Sequence, residues 1–172
     1  MSNYTIINKT LCTTNRLNGR RHRRRLTYCY ILENYLSMNI QRLNEKYPNN
    51  EKFKLGDNEA LCAELTDLVR SGRKTATCGA LRDFRQGNEV MPVVGRIDIV
   101  LNWDGTPALA IKTKSIEIMR FCDVYEQFAL LEGENDSLDE WQEDHKRYFE
   151  RNGGFDESME LVCECFELVE VF

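Results

Sequence analysis

The feature that most constrains the fold is a change of periodicity at Gly72. Before it, apolar side chains recur at the spacing of an amphipathic helix, and Asp57 is placed to cap that helix. After it, residues 74–82 favour an extended strand. Because glycine readily adopts the left-handed backbone that ends many helices, the sequence predicts a helix to Ser71 that is followed directly by a strand.

The rest of the chain alternates strand patterns with helix patterns. Residues 96–101 alternate like a strand, Asp104-Gly105 suits a tight hairpin turn, and residues 108–121 continue as one long strand or two short ones. The spacing of Ser137 and Glu140 is that of a capping box. The remaining predicted elements are helices over 31–46, 124–131 and 137–151, a loop over 87–94, and a closing strand over 161–172. This mixture predicts an α+β domain.

Length and composition are ordinary for one domain with a substantial core. The chain has 172 residues, of which 42% are hydrophobic. No apolar run approaches the roughly 20 residues of a membrane span, and the first residues lack an apolar signal core, so we expect a cytoplasmic protein. Seven scattered cysteines with only two histidines and no C-x-x-C pair indicate reduced thiols, and neither a metal nor a cofactor is expected.

Charge is distributed unevenly along the sequence. Residues 1–25 contain seven basic and no acidic side chains, whereas residues 26–172 contain 16 basic and 28 acidic ones, a net charge of −12. The basic stretch is either an arm that meets phosphates, a targeting extension, or a segment outside the ancestral domain. Since it has few large apolar side chains, we expect residues 1–28 to be a disordered extension and residues 29–172 to be one domain.

Lys74 and Thr77 lie at the boundary between the predicted helix and strand, where a side chain can be held firmly and still face a cleft. An amine and a hydroxyl at this spacing provide a base and a nucleophile, or two donors to an anion. A K-x-x-T spacing is also common in solvated segments, so by itself it leaves the function open.

A second polar cluster, residues 132–136, joins the last two predicted helices with the sequence Glu-Gly-Glu-Asn-Asp. Such a turn is commonly a solvated connection whose acidic groups favour the N-terminus of the next helix. A calcium loop is the other general possibility, but the spacing of an EF-hand is absent.

Lys74, Thr77 and the polar cluster belong to a longer series of segments, which are 53–57, 64–69, 72–78, 92–95, 131–141 and 161–166, with His145, Tyr148 and Phe149 between the last two. Together these segments make the chain similar to the ASCH family of the PUA-like superfamily. The similarity spans residues 50–172 in family order and leaves the first part of the chain unexplained.

The resemblance implies a fold and a site. The implied fold is a PUA-like small β-barrel with peripheral helices. In the branch of acetylcytidine amidohydrolases, a lysine, a threonine and a glutamate form the active group, and they match Lys74, Thr77 and Glu134. Another branch resembles a ribonuclease that relies on the same lysine. Further substrate contacts are expected from Arg73, Thr75, Arg82, Glu132 and Ser137.

One position departs from the family pattern, in which the lysine is followed, after four residues, by an arginine. Gly79 stands at that arginine position. An arginine would offer a planar set of donors to a base carbonyl or a phosphate, which glycine cannot do. Arg82 and Arg85 are the candidates to replace it from the same segment.

Two classes of function follow from these residues. In an enzyme, Glu134 fixes Lys74, and Lys74 assists proton transfer to or from Thr77 or a water. Burial would lower the pKa of Lys74 and a close Glu134 would raise it, so a general base and an oxyanion-stabilising cation both remain open. In a binding module, Lys74 contacts a phosphate and an aromatic side chain stacks on a base, although Trp103, Trp141 and Tyr148 also suit a core.

The acidic body favours a small substrate over a phosphate backbone. We therefore expect a small hydrolase of the acylated-cytidine amidohydrolase type, whose partner is a modified nucleoside or nucleotide, or RNA. A noncatalytic RNA- or nucleotide-binding ASCH module and a ribonuclease are the alternatives.

Deleting residues 1–25 should leave the melting temperature of the protein nearly unchanged, because the segment lacks the apolar content that would offset its ordering entropy. Differential scanning calorimetry of the full and shortened chains checks this. A decrease of more than about 5 °C would mean that the segment stabilises the fold by more than about 1 kcal/mol.

Overall fold

Two long antiparallel strands organise the sheet. β4 (Pro107–Arg120) pairs with β5 (Glu160–Val171) along most of its length. β3 (Ile97–Leu101) lies beside the first half of β4, and β2 (Ala76–Ala80) lies beside the first half of β5. The short β1 (Lys52–Phe53) runs parallel to β3 and completes the strand order β1-β3-β4-β5-β2.

The computed structural model describes residues 40–172, in which five α-helices and a short 3-10 helix (Phe121–Asp123) accompany the sheet. The α-helices are α1 over residues 40–46, α2 (Glu59–Arg70), α3 (Leu81–Gln86), α4 (Glu126–Leu131) and α5 (Leu138–Arg151). The predicted basic extension over residues 1–28 and the start of the helix predicted from residue 31 lie outside the described residues.

The apolar core lies in three clusters along the sheet. The largest packs α4 and α5 against β2 and the first half of β5, and Trp141 and Phe149 are its bulkiest fully buried members. A second cluster packs α2 against β3 and β4 and includes Leu109. Ala110, on the opposite face of β4, packs with α1 in the third cluster, so the first half of β4 is buried on both faces.

The α+β class is confirmed, but the predicted barrel is not formed. The described strands make an open sheet with β1 and β2 at its edges. β1 is only two residues long and pairs with β3, while β2 pairs with β5, so the edge strands do not meet to close the sheet.

Local signals in the sequence were mostly sufficient to place the helix ends. Gly72 has a positive φ of 77° directly after α2, as predicted, and the Ser137 side chain caps α5 by accepting from the Glu140 N–H. The N-cap of α2 is Asn58 rather than Asp57, because its Oδ1 accepts from the Leu61 N–H at 3.0 Å.

Two strand predictions have different outcomes. The strand predicted over 74–82 is too long, because the chain turns into α3 at Leu81. The strand predicted over 108–121 is one continuous strand, β4, rather than two short ones, and it ends at Arg120. Within residues 40–172, no helix is both long enough and apolar enough to cross a membrane.

Candidate functional site

Lys74 is fixed by the end of α2 before β2 begins. Its backbone N–H and that of Arg73 both donate to the carbonyl of Leu68, at 3.1 and 3.0 Å. The next residue, Thr75, donates its N–H to the carbonyl of Leu131 at 2.8 Å. The segment is therefore held between the C-terminal ends of α2 and α4, and only 1% of Lys74 is exposed.

The residues after α4 bring two carboxylates to the same point. Glu132 ends the helix, and Gly133 then takes a positive φ of 72°, which redirects the chain so that Glu134 also faces Lys74. A Cβ atom at Gly133 would lie 2.4 Å from the carbonyl oxygen of Arg73. Only glycine lets the two backbones approach this closely.

The Lys74 ammonium is surrounded by three acceptors. Its Nζ lies 2.6 Å from Glu134 Oε1, 2.9 Å from Glu132 Oε2 and 3.4 Å from the Glu132 carbonyl oxygen. An ammonium has three protons, so each can be directed to one of these oxygens. Glu132 is as deeply buried as Lys74, whereas the Glu134 side chain is 22% exposed.

The charges of this cluster stabilise one another. Burial by itself would lower the pKa of Lys74, but the two carboxylates together outweigh it, so the pKa of Lys74 is raised. Burial would likewise raise the pKa of Glu132, but the neighbouring Lys74 and His145 lower it to about 2. Lys74 is thus held as a cation. Of the two roles that the sequence left open, this favours the positively charged ammonium over a neutral general base.

Lys74, Thr77 and Glu134 line one cleft of about 220 Å³, together with Glu132. Thr77 is half-buried in β2 opposite Glu164 of β5. A larger neighbouring cavity of about 440 Å³ shares part of this lining. The shared residues are Leu55, Gly56, Thr77, Cys78 and Tyr148.

His145 lines the cleft, although its sequence context favoured a structural or surface role. Its Nδ1 lies 3.0 Å from the carbonyl oxygen of Trp141, and its ring stacks on the Trp141 ring at 4.0 Å between centroids. Its Nε2 lies 3.7 Å from Glu132 Oε2. The spacing from Trp141 could place His145 on the same face of the helix. It could not show that this face of α5 lies against Glu132, because that contact joins distant parts of the sequence.

Other cleft residues were also missed or underrated. Tyr148 lines both cavities, and burial raises its pKa to about 12, so its phenol stays protonated. Arg147 and Arg151 lie at the cleft, where Arg147 pairs with Glu143 and Asp144, and Arg151 pairs with Asp57. All three come from the C-terminal half of α5.

The predicted substrate-binding residues divide into one inside the cleft and four outside its lining. Glu132 is inside, as a partner of Lys74. Arg73 reaches the Gly133 carbonyl, and Thr75 bonds to the Leu131 carbonyl. Arg82 donates to the carbonyl of Asn152, and Ser137 caps α5. Contact of these residues with a substrate stays a prediction.

Comparisons with known proteins agree with this architecture. The sequence model described as "ASCH domain" matches residues 51–170. The chain belongs to the ASCH domain family. Among the curated proteins, none matches it.

Two solved structures resemble this ASCH domain along most of its length. The ASCH domain from Lactobacillus crispatus JV V101 is 36% identical, with a TM-score of 0.66 over 80% of this chain and 90% of its own. A protein from Enterococcus faecalis V583 is 34% identical, with a TM-score of 0.69 over 79% of this chain and 88% of its own.

A side chain at Gly79, where the family pattern has arginine, would have to displace the Phe84 ring by a few tenths of an ångström. A Cβ there would lie 3.0 Å from the Phe84 ring. Neither candidate substitute reaches the cleft lining, because Arg82 bonds to Asn152 and Arg85 pairs with Glu160. The arginines at the cleft are those of α5.

Replacing Gly133 with alanine should lower the free energy of unfolding of the ASCH domain more than the same replacement at Gly87. Both glycines have a positive φ, at 72° and 77°, but a Cβ at Gly87 meets nothing within 4 Å. We expect Gly133→Ala to cost about 1–3 kcal/mol more than Gly87→Ala, measured by urea unfolding. Equal costs would mean that the close approach to Arg73 relaxes without strain.

Acid should destabilise the ASCH domain partly through Glu132. Its folded pKa of about 2 lies below the ordinary value of 4.5 for a glutamate, so its stabilisation is complete above pH 4.5 and is lost as the pH falls toward 2. The full effect is on the order of 3 kcal/mol. In metal-free buffer, unfolding free energies measured between pH 5 and 3 should fall less steeply in Glu132→Gln than in wild type.

The matched control for that measurement is Glu143→Gln, an exposed carboxylate on α5. It should keep the wild-type dependence on pH. The same slope in Glu132→Gln and wild type would contradict a lowered pKa for Glu132.

Proposed function

We propose that this ASCH domain hydrolyses the amide of a small N-acylated nucleoside of the acylcytidine class. The observation that carries the proposal is the buried Lys74, which holds the partly exposed Glu134 in the cleft that Thr77 also lines. These are the residue types that the amidohydrolase resemblance implies.

Charge favours a small substrate at this site. Residues 26–172 carry a net charge of −12, which repels a phosphate backbone. The cleft arginines already have carboxylate partners, as Arg147 and Arg151 show. A nucleoside without phosphate has no such penalty, and the cleft with its neighbouring cavity is large enough for a base and a sugar.

Lys74 acts mainly by placing Glu134. Its ammonium is almost fully buried, and its three nearby acceptors can use all of its protons. The longest contact, to the Glu132 carbonyl, is the one that can most readily be exchanged for a developing oxyanion. Glu134 is the partly exposed group, so it is the proton acceptor in this proposal.

In the proposed reaction, Glu134 takes a proton from water as the water oxygen adds to the acyl carbon. The tetrahedral intermediate then breaks its carbon–nitrogen bond, and the proton held by Glu134 passes to the departing amine. One water is consumed for each amide, and a carboxylic acid and an amino base leave. Thr77 orients the water, or its hydroxyl adds first and the resulting ester is hydrolysed.

Binding without turnover is the second candidate function. It is favoured by the saturated donors of Lys74, which leave no proton free for chemistry without rearrangement. ASCH domains are, as a class, PUA-like modules that generally bind RNA. In that case an exposed RNA base would occupy the cleft, and no substrate would be consumed.

The purified 172-residue protein should convert N-acetylcytidine to cytidine and acetate. Liquid chromatography measures the substrate consumed and the cytidine formed. Glu134→Gln should lower kcat by about 100-fold or more with a smaller change in KM, because the amide keeps the shape but accepts no proton. Lys74→Ala and Lys74→Arg should both be nearly inactive, since a guanidinium does not fit the buried space of the ammonium.

Lys114→Arg is the matched control, because Lys114 is an exposed lysine of β4 paired with Glu167. It should retain wild-type activity. Full activity in Lys74→Ala would remove Lys74 from the mechanism. Cytidine or RNA binding without turnover would support the binding module, and cleavage of an RNA oligonucleotide would indicate a ribonuclease.

A further inference from the structure

We propose that Cys78, Glu132 and His145 form a zinc-binding site in the floor of the cleft. One donor atom from each residue, a thiol sulfur, a carboxylate oxygen and an imidazole nitrogen, lies within 4.8 Å of the other two. All three residues line the cleft. They are far apart in sequence, on β2, the loop after α4, and α5, which is why no spacing motif predicts the site.

The hydrogen bonding of His145 leaves one nitrogen available for a metal. The Trp141 carbonyl oxygen can only accept, so the nitrogen 3.0 Å away from it, Nδ1, carries the proton. When Nε2 carries no proton, its lone pair lies on the Glu132 side of the ring, where a metal could bind in place of the proton. A histidine that donates from one nitrogen to a backbone carbonyl and coordinates through the other is the usual arrangement of a metal ligand.

Glu132 has an oxygen without a partner. Its Oε2 bonds to Lys74, while Oε1 is buried and has no hydrogen-bond partner among the described residues. A buried carboxylate oxygen that stays unpaired is costly, because it has lost its water. A cation at this oxygen would satisfy it.

Metal binding would also balance the local charge. Lys74 with its two carboxylates carries a net charge of −1. Zinc adds two positive charges, and coordination releases the proton of Cys78, which leaves a thiolate and a neutral cluster. Lys74 bonds to Oε2 of Glu132, so the carboxylate separates the ammonium from a metal at Oε1.

The donor set selects zinc among common metals. A thiolate, an imidazole and one carboxylate suit Zn²⁺, whereas Mg²⁺ and Ca²⁺ prefer oxygen ligands throughout. Three protein ligands would leave a fourth position open, and because all three residues line the cleft, a water or ligand in the cleft could occupy it. Such an open site is typical of a zinc that contacts water or a ligand, unlike a closed structural site.

Reduced, metal-free full-length protein can be titrated with Zn²⁺ by calorimetry and with Co²⁺ by absorption. We expect one ion per chain, release of about one proton per zinc, and a thiolate-to-cobalt charge-transfer band. Cys78→Ser should abolish the band and weaken zinc binding by more than about 100-fold, since even the outer partners of metal ligands contribute about 10- to 100-fold.

His145→Asn sharpens the test. The asparagine amide can keep the hydrogen bond to Trp141 but has no counterpart of Nε2, so zinc affinity should fall while the fold is retained. The matched controls are Cys122→Ser, an exposed cysteine, and His22→Ala, the other histidine of the sequence. Both should bind zinc as the wild type does.

The zinc site fails if the wild type binds no Zn²⁺ and shows no cobalt–thiolate band. It also fails if the two ligand variants, folded by circular dichroism, bind as tightly as wild type. Because these readouts measure metal binding and not turnover, their result is independent of whether the proposed amidohydrolase activity is found.

Discussion

The burial of one ammonium among carboxylates is the interaction on which the site depends. Taking Lys74 and Glu132 out of water is costly, and their attraction offsets that cost only if the geometry is good and the protons of the ammonium have acceptors. The C-terminal end of α2, the end of α4 and the glycine between the two glutamates provide that geometry. Losing Lys74 would leave the buried carboxylate of Glu132 without its ammonium partner.

Glu132 and Glu134 are similar side chains that lie in different environments in the cleft. Glu132 is buried and has Lys74 on one oxygen, whereas Glu134 shares the same lysine but reaches the solvent. The sequence resemblance singled out Glu134 for chemistry and left Glu132 among the substrate contacts. The structure makes Glu132 the link between Lys74 and His145, so the proposed hydrolytic centre and the proposed zinc site share one carboxylate.

Local patterns were enough for the parts of the fold that local physics decides. The stop at Gly72 and the cap at Ser137 depend on neighbouring residues, and both were predicted. α3 was missed because Thr77 and its neighbours favour a strand while the six residues after Ala80 give only a short helical signal. The open sheet and the position of His145 depend on contacts between distant segments, which periodicity does not encode.

The unequal burial of β4 divides one continuous strand into two environments. Residues 108–111 are buried on both faces, whereas most side chains from Lys114 to Arg120 are exposed. Amide hydrogens in the first part should therefore exchange with solvent most slowly, through global unfolding alone. The second part has exposed side chains at which sequence change is inexpensive, so a single strand combines positions where substitution is costly with positions where it is tolerated.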